Sequence, residues 1–127
     1  MNVSNSIVAM LESIGVDAVF SGSGQGSGDI LFAFAESKKI KTIMVRHEQA
    51  ASFMACGYAM FNKSKLGVCN AQGGPGSYNF FSGLGVALSD SLPVLSIASY
   101  APKKWRGKGD LGEVTGIGRT PDSQAMF

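Results

Sequence analysis

The residue best placed for proton chemistry is Glu48. It is the only acid in the run Arg46 to Phe61, R-H-E-Q-A-A-S-F-M-A-C-G-Y-A-M-F, which contains no proline. Periodicity predicts one helix over His47 to Phe61, with Glu48 in its first turn. A carboxylate there can simply complement the positive end of the helix dipole. Its company points further. Ala50, Ala51, Phe53, Met54, Ala55, Cys56, Tyr58, Ala59 and Phe61 cover the whole circumference, and a helix that is apolar all round is buried all round. One side can pack on a sheet; the other then needs a second domain or subunit. An acid leading into such a helix is expected in a partly desolvated place, where a carboxyl becomes a usable proton donor or acceptor near neutrality.

The second candidate is a loop. The apolar run Leu66 to Ala71 leads into Gln72-Gly73-Gly74-Pro75-Gly76-Ser77. It has no Walker lysine, so it is not a P-loop. A strand-to-helix turn needs less glycine than this, and the excess lets backbone approach a flat ligand closely. A second glycine-rich stretch, Gly22 to Gly28, never makes G-x-G-x-x-G, so a dinucleotide fingerprint is not met; by itself it reads as a flexible loop. His47 is the only histidine, and Cys56 and Cys69 lack zinc or C-x-x-C spacing. Neither a metal cluster nor a Ser-His-Asp triad is supported. Both cysteines read as small buried hydrophobes in a reducing cytoplasm.

Positioning these groups takes short apolar strands alternating with helices. Helices are predicted over Val3 to Ile14, which Gly15 stops, over Asp29 to Glu36 with Asp29 as cap, and over Ser77 to Leu88. The last carries Gly83, Gly85 and Ala87, so something packs closely on it. Strands are predicted over Ala18 to Ser21, Thr42 to Val45, Leu66 to Ala71 and Pro93 to Ala98. The alternation implies an α/β fold, a parallel sheet with helices on both faces. In such sheets ligands bind at the carboxyl ends of the strands. Arg46 could hold a carboxylate, though a surface ion pair is the commoner fate.

The 127 residues, 45% hydrophobic, suit one soluble domain with a small core. A net charge of +2 is too slight to imply nucleic acid or an anionic membrane. No apolar run reaches membrane length, and the start lacks a signal peptide's pattern. After Tyr100 the period fades. Lys103, Lys104, Arg106 and Lys108 surround Trp105, but Asp110 and Glu113 follow closely, and a solvated loop is expected. So long a structureless segment is either functional or unfinished.

Three motifs in order carry a resemblance: R-H-E-Q-A-A-x-F-M-A-x-G-Y-A from Arg46, G-V-C-x-A-x-x-G-P-G-x-x-N from Gly67, and S-D-S-L-P-V-L-S-I from Ser89. To about Tyr100 the chain resembles the pyrimidine-binding, N-terminal domain of thiamine-diphosphate-dependent enzymes. The acetolactate synthase group, with its pyruvate oxidase and 2-oxo acid decarboxylase relatives, is nearest. The resemblance implies that residues 1–100 form that domain and 101–127 an active-site-proximal loop or the end of the same domain. It implies that Glu48 hydrogen-bonds N1′ of the cofactor's aminopyrimidine and activates it. Gly74, Pro75, Gly76 and Asn79 would lie near the cofactor ring. Gly24, Gln25 and Gly26 match a loop that reaches the substrate side, although the family's usual proline is missing. Gln124 matches a glutamine carried by the segment after the fourth strand.

The implied chemistry is decarboxylation of a 2-oxo acid, with or without carboligation. The implied cofactors are thiamine diphosphate and Mg²⁺. In the family a separate domain with a G-D-G motif holds the diphosphate and metal, whereas this chain offers only Gly109-Asp110-Leu111. The chain is therefore expected to be inactive alone. It would need a diphosphate-binding domain or subunit, in a homo- or hetero-oligomer, dimer or tetramer. The family's last helix and strand are expected beyond Phe127, as in a fragment. The alternatives are a subunit of a split 2-oxo acid decarboxylase of sulfopyruvate type, a free-standing flavin- or nucleotide-binding α/β module, and a non-catalytic remnant.

Overall fold

In the computed structural model, which describes residues 2–62 and 65–127, the predicted alternation winds into one parallel sheet. Its strand order is β2 (Lys41–Met44), β1 (Ala18–Ser21), β3 (Gly67–Ala71), β4 (Val94–Ala98). Phe20 lies opposite Ile43 on one side and Cys69 on the other, and Cys69 lies opposite Ser96. Successive strand side chains point to opposite faces, and this sorts the core into two. Val19, Val68, Leu95 and Ile97 join Val8, Leu11, Ile30, Ala33 and Phe34 from α1 (Val3–Ser13) and α2 (Gly28–Glu36). Phe20, Cys69, Ala71 and Val94 join Ala51, Ala55, Phe80 and Leu84 on the other face, under α3 (Glu48–Phe61) and α5 (Phe81–Ser89). Helices cover both faces, as the sequence predicts.

Local chemistry sets the ends. Asn2 caps α1 by accepting from the Asn5 N–H at 2.8 Å, and Gly15 at φ 85° turns the chain away. Asp29 does not cap α2. A 3₁₀ turn, Gln25–Ser27, runs straight into that helix, so Ser27 takes the cap position and Asp29 falls in the first turn. The helix expected over Ser77 to Leu88 is two helices, α4 (Pro75–Tyr78) and α5. Between them the Phe80 N–H bonds to the Ser77 carbonyl, three residues back. That tighter step seats the Phe80 ring fully in the core. The turn expected between α3 and β3 includes 63 and 64, which lie outside the described residues.

The α3–α5 contact explains the small residues. A methyl group at Gly83 would sit 2.3 Å from Ser52 Oγ, and the Cys56 thiol donates to the Gly83 carbonyl at 3.2 Å. On α3 only Ala51, Ser52, Ala55, Cys56 and Ala59 are buried. Phe53, Met54, Met60 and Phe61 stand exposed, so within this chain α3 is buried on one side only. Both cysteines are buried and unpaired, and burial pushes the Cys69 thiol up to about 12. Tyr58 of α3 donates to Asp17, which also pairs with Lys65. Arg46 is exposed and makes no ion pair among the described residues.

The tail has more structure than its sequence suggests. It contains a 3₁₀ turn, Lys103–Trp105, a bridge between Thr115 and Asp122, and α6 (Ser123–Met126). Its organiser is Glu113, only 8% exposed. The Glu113 carboxylate accepts from the backbone N–H groups of Gly107, Gly109 and Asp110 and from the Thr115 hydroxyl. Gly107, Gly109 and Gly112 all adopt positive φ here, which glycine alone visits freely. The Gly107 N–H, then the Thr115 hydroxyl, hold the Glu113 carboxyl below its ordinary range.

Candidate active site

The strand order reverses direction between β1 and β3: β1 leads outward to β2, and β3 leads outward to β4. A crevice opens at the carboxyl ends of strands at such a switch point. The two glycine-rich stretches leave from those ends, Gly22 after β1 and Gln72 after β3. Glu48 reaches the same crevice from the start of α3. His47 sets that start, since its Nδ1 accepts from the Gln49 N–H at 3.3 Å as the helix cap.

Glu48 is half-buried. Its Oε2 accepts from Asn79 Nδ2 at 2.9 Å. No other hydrogen bond reaches its carboxylate from the described residues, so Oε1 has no partner among them. Two glycines make room around it. A methyl group at Gly22 would lie 2.9 Å from Glu48 Cγ, and one at Gly76 would lie 3.3 Å from Oε1. The carboxylate opens onto a cavity of about 380 Å³ walled by Ser23, Gln72, Gly73, Pro75, Gly76, Leu111 and Gly112. Gly73, Gly76 and Gly112 make much of that wall backbone.

The Gly73-Gly74-Pro75-Gly76 loop packs closely on its neighbours. A methyl group at Gly73 would stand 2.1 Å from the Ser99 carbonyl oxygen, and the Gly73 N–H donates to Ser99 Oγ at 2.9 Å. Gly74 sits at φ 78°, and its carbonyl accepts from Ser77 Oγ at 2.9 Å. Pro75 opens α4, where its missing N–H has no cost.

The other predicted residues are not all gathered there. Gly24 and Gly26 pack on the Gln72 side chain. Gln25 faces an adjoining cavity with Asp29, Ser99 and Tyr100. Gln124 lines a third hollow with Ser96, Arg106 and Phe127, away from Glu48. Three residues escaped the sequence reading. Asn70 is fully buried in β3 and donates to Ser21 Oγ at 2.9 Å, with its own Oδ1 unpartnered. The signal was an amide inside an apolar strand. Leu111 and Gly112 also enter the Glu48 cavity; the sequence reading expected their segment near the site but singled out neither residue for it. No group of three or more His, Cys, Asp or Glu able to hold a metal occurs among the described residues. No helix among them is long and apolar enough to cross a membrane.

The family model described as thiamine pyrophosphate enzyme, N-terminal TPP binding domain, matches residues 1–124. Acetolactate synthase 2, chloroplastic, of Brassica napus is 42% identical over 101 residues, which are 80% of this chain and 16% of the relative. The chloroplastic acetolactate synthase of Arabidopsis thaliana is 41% identical over 80% of this chain and 15% of its own length. Acetolactate synthase of Mycobacterium avium is 38% identical over 72% of this chain and 15% of its own. The chain thus spans only 15–16% of the length of these curated relatives.

Proposed function

The chain belongs to the thiamine pyrophosphate enzymes as their N-terminal TPP-binding domain, acetolactate synthase-like, and we propose that Glu48 is its cofactor-activating acid. The observation that carries this is the state of the carboxylate. Asn79 holds one oxygen, and the other faces a backbone-walled cavity. When bound, thiamine diphosphate supplies the nucleophilic carbon that decarboxylates a 2-oxo acid, with or without transfer to a second carbonyl.

This chain's residues do the rest of the work assigned to them. Glu48 Oε1 would be the atom that holds or gives up a proton toward N1′ of the aminopyrimidine. Asn79 orients Glu48 through Oε2, a positioning role beside the ring. Gly74, Pro75 and Gly76 would hold the ring through their backbone, and Gly22 and Gly76 leave space beside Glu48. Leu111 and Gly112 help keep water from that pocket. Gly24, Gln25 and Gly26 lie on the substrate side, and Gln124 borders it more remotely. On this reading residues 1–100 bind the pyrimidine and 101–127 complete one wall.

The diphosphate and Mg²⁺ belong to a separate domain or subunit, so the chain is inactive alone. The apolar side chains left open on α3 and α5, Phe53, Met54, Phe61, Phe81 and Leu88, support docking of that partner in a dimer or larger oligomer. Two buried free thiols fit a reducing, cytoplasmic setting.

The test is Glu48→Gln in the enzyme assembled with its diphosphate-binding domain. The amide keeps the shape but cannot exchange a proton. Turnover of a 2-oxo acid should fall about 10²–10⁴-fold, the usual contribution of a positioned acid–base group, at an unchanged unfolding midpoint. Full activity contradicts the role.

A further inference from the structure

Ser21 and Asn70 are both fully buried near the carboxyl ends of the two central strands, where they stand opposite each other in the β1–β3 register. Strand side chains alternate in face. Ser21 is two residues beyond Val19 and Asn70 two beyond Val68, so the pair lies on the α1–α2 face, beside the apolar core there. Glu48 opens α3, which covers the opposite face.

The pair ends on one backbone unit. Asn70 Nδ2 donates to Ser21 Oγ at 2.9 Å, and the Ser21 hydroxyl donates to the Gly22 carbonyl at 2.9 Å. The Gly22 N–H donates to the Asn70 carbonyl at 2.9 Å. Both polar groups of Gly22 are thus tied to Asn70, one directly and one through the serine. The arrangement costs stability, because Asn70 Oδ1 is buried with no partner among the described residues, and such an orphan acceptor loses its hydration without return.

Gly22 is where this network meets Glu48. A methyl group there would lie 2.9 Å from Glu48 Cγ, 3.4 Å from Oε1 and 3.6 Å from Cδ. The Gly22 backbone therefore runs along the stem of Glu48 on the side of Oε1, while Asn79 holds Oε2. A turn of the Gly22 peptide would open room for Oε1 to swing away.

We propose that Ser21 and Asn70 are positioning residues, a buried clamp that acts through Gly22 from the opposite face of the sheet and fixes the direction of Glu48 Oε1. The proposal rests on Glu48 being the cofactor-activating acid.

Ser21→Ala removes one oxygen and frees the Gly22 carbonyl. In the assembled enzyme saturated with thiamine diphosphate, it should slow hydrogen–deuterium exchange at the thiazolium C2 about tenfold, below the roughly 10²-fold that a displacement of about 1 Å can cost. Asn70→Leu leaves the hydroxyl without its donor and should slow exchange by less. Because the clamp works through Glu48, Ser21→Ala should add nothing in a Glu48→Gln background. A wild-type rate in Ser21→Ala, or an equal slowing in the Glu48→Gln background, overturns the proposal. A second readout needs no cofactor. Asn79 bonds to Glu48, so in the labelled full chain its side-chain amide signals should shift in Ser21→Ala. Unmoved Asn79 signals also overturn the clamp. If Glu48→Gln alone exchanges at the wild-type rate, the cofactor reading fails, and the Asn79 signals still decide whether the pair holds Glu48.

Discussion

The two helical layers of this domain are built in opposite senses. Under α1 and α2 the inward positions hold large side chains, Leu11 and Phe34 fully buried with Val8 and Ile30 beside them, while Met10 and Phe32 point out. On α3 the small residues point inward, Ala51, Ser52, Ala55, Cys56 and Ala59, and the large ones, Phe53, Met54 and Phe61, point out. The first layer is a finished core that holds the sheet. The second brings α3 and α5 backbone to backbone so that Glu48 and Asn79, from separate segments, can meet at 2.9 Å. Its outward apolar face is exposed in this chain.

Truncation should break the comparison most visibly on the first layer. Phe34→Ala should cost about 3–5 kcal/mol, the range for a fully buried aromatic, read from urea unfolding of the chain. If it costs no more than a surface change, the α1–α2 layer is not the stabilising one. Enlargement should hurt the second layer instead. Gly83→Ala places a methyl group against Ser52 and should cost about 1–3 kcal/mol, as overpacking does. A neutral result would mean α3 and α5 can separate freely.

Much of this was legible in the sequence. Short continuous apolar runs placed the four strands and the helical period the main helices, because burial on both faces of a parallel sheet removes the alternation. Glu48 was legible as a lone acid on an apolar helix. The outward face of α3 was not, because composition shows how much of a helix is apolar but not which side the chain itself covers. The break between α4 and α5 was hidden because Asn79 and Phe80 keep helical angles and the apolar run does not pause. The Asn79–Glu48 bond joins residues 31 apart, and no local pattern encodes it. Glu113 binds backbone N–H groups, which carry no side-chain signature. Only the alternating glycines before it hinted at the turn it holds.

Acid should sharpen the contrast through the tether between the layers. Asp17 pairs with Lys65 and accepts from Tyr58 of α3, and these hold its carboxyl below its ordinary 3.8. A depressed folded value means the stabilisation is present above the unfolded value and fades as pH falls through the lower folded one. Glu113 behaves the same way from its ordinary 4.5. Unfolding midpoints followed downward from pH 5 should drop less steeply in Asp17→Asn than in wild type. Parallel curves would remove the tether.

The smallest effect should come from the open face. Phe53→Ser or Phe61→Ser should change the isolated chain's stability by no more than about 0.5 kcal/mol, yet weaken assembly with the diphosphate-binding domain in sedimentation. A large loss of stability in the chain alone would mean that this face is already covered.

The central claim is that Glu48 activates the cofactor, and the most direct measurement follows activation rather than turnover. Hydrogen–deuterium exchange at the thiazolium C2 of bound thiamine diphosphate would be compared in wild-type and Glu48→Gln assembled enzyme. The account predicts exchange slowed by about 10²-fold or more in the glutamine variant, with cofactor still bound and the fold intact. Equal exchange rates in the two enzymes would contradict it.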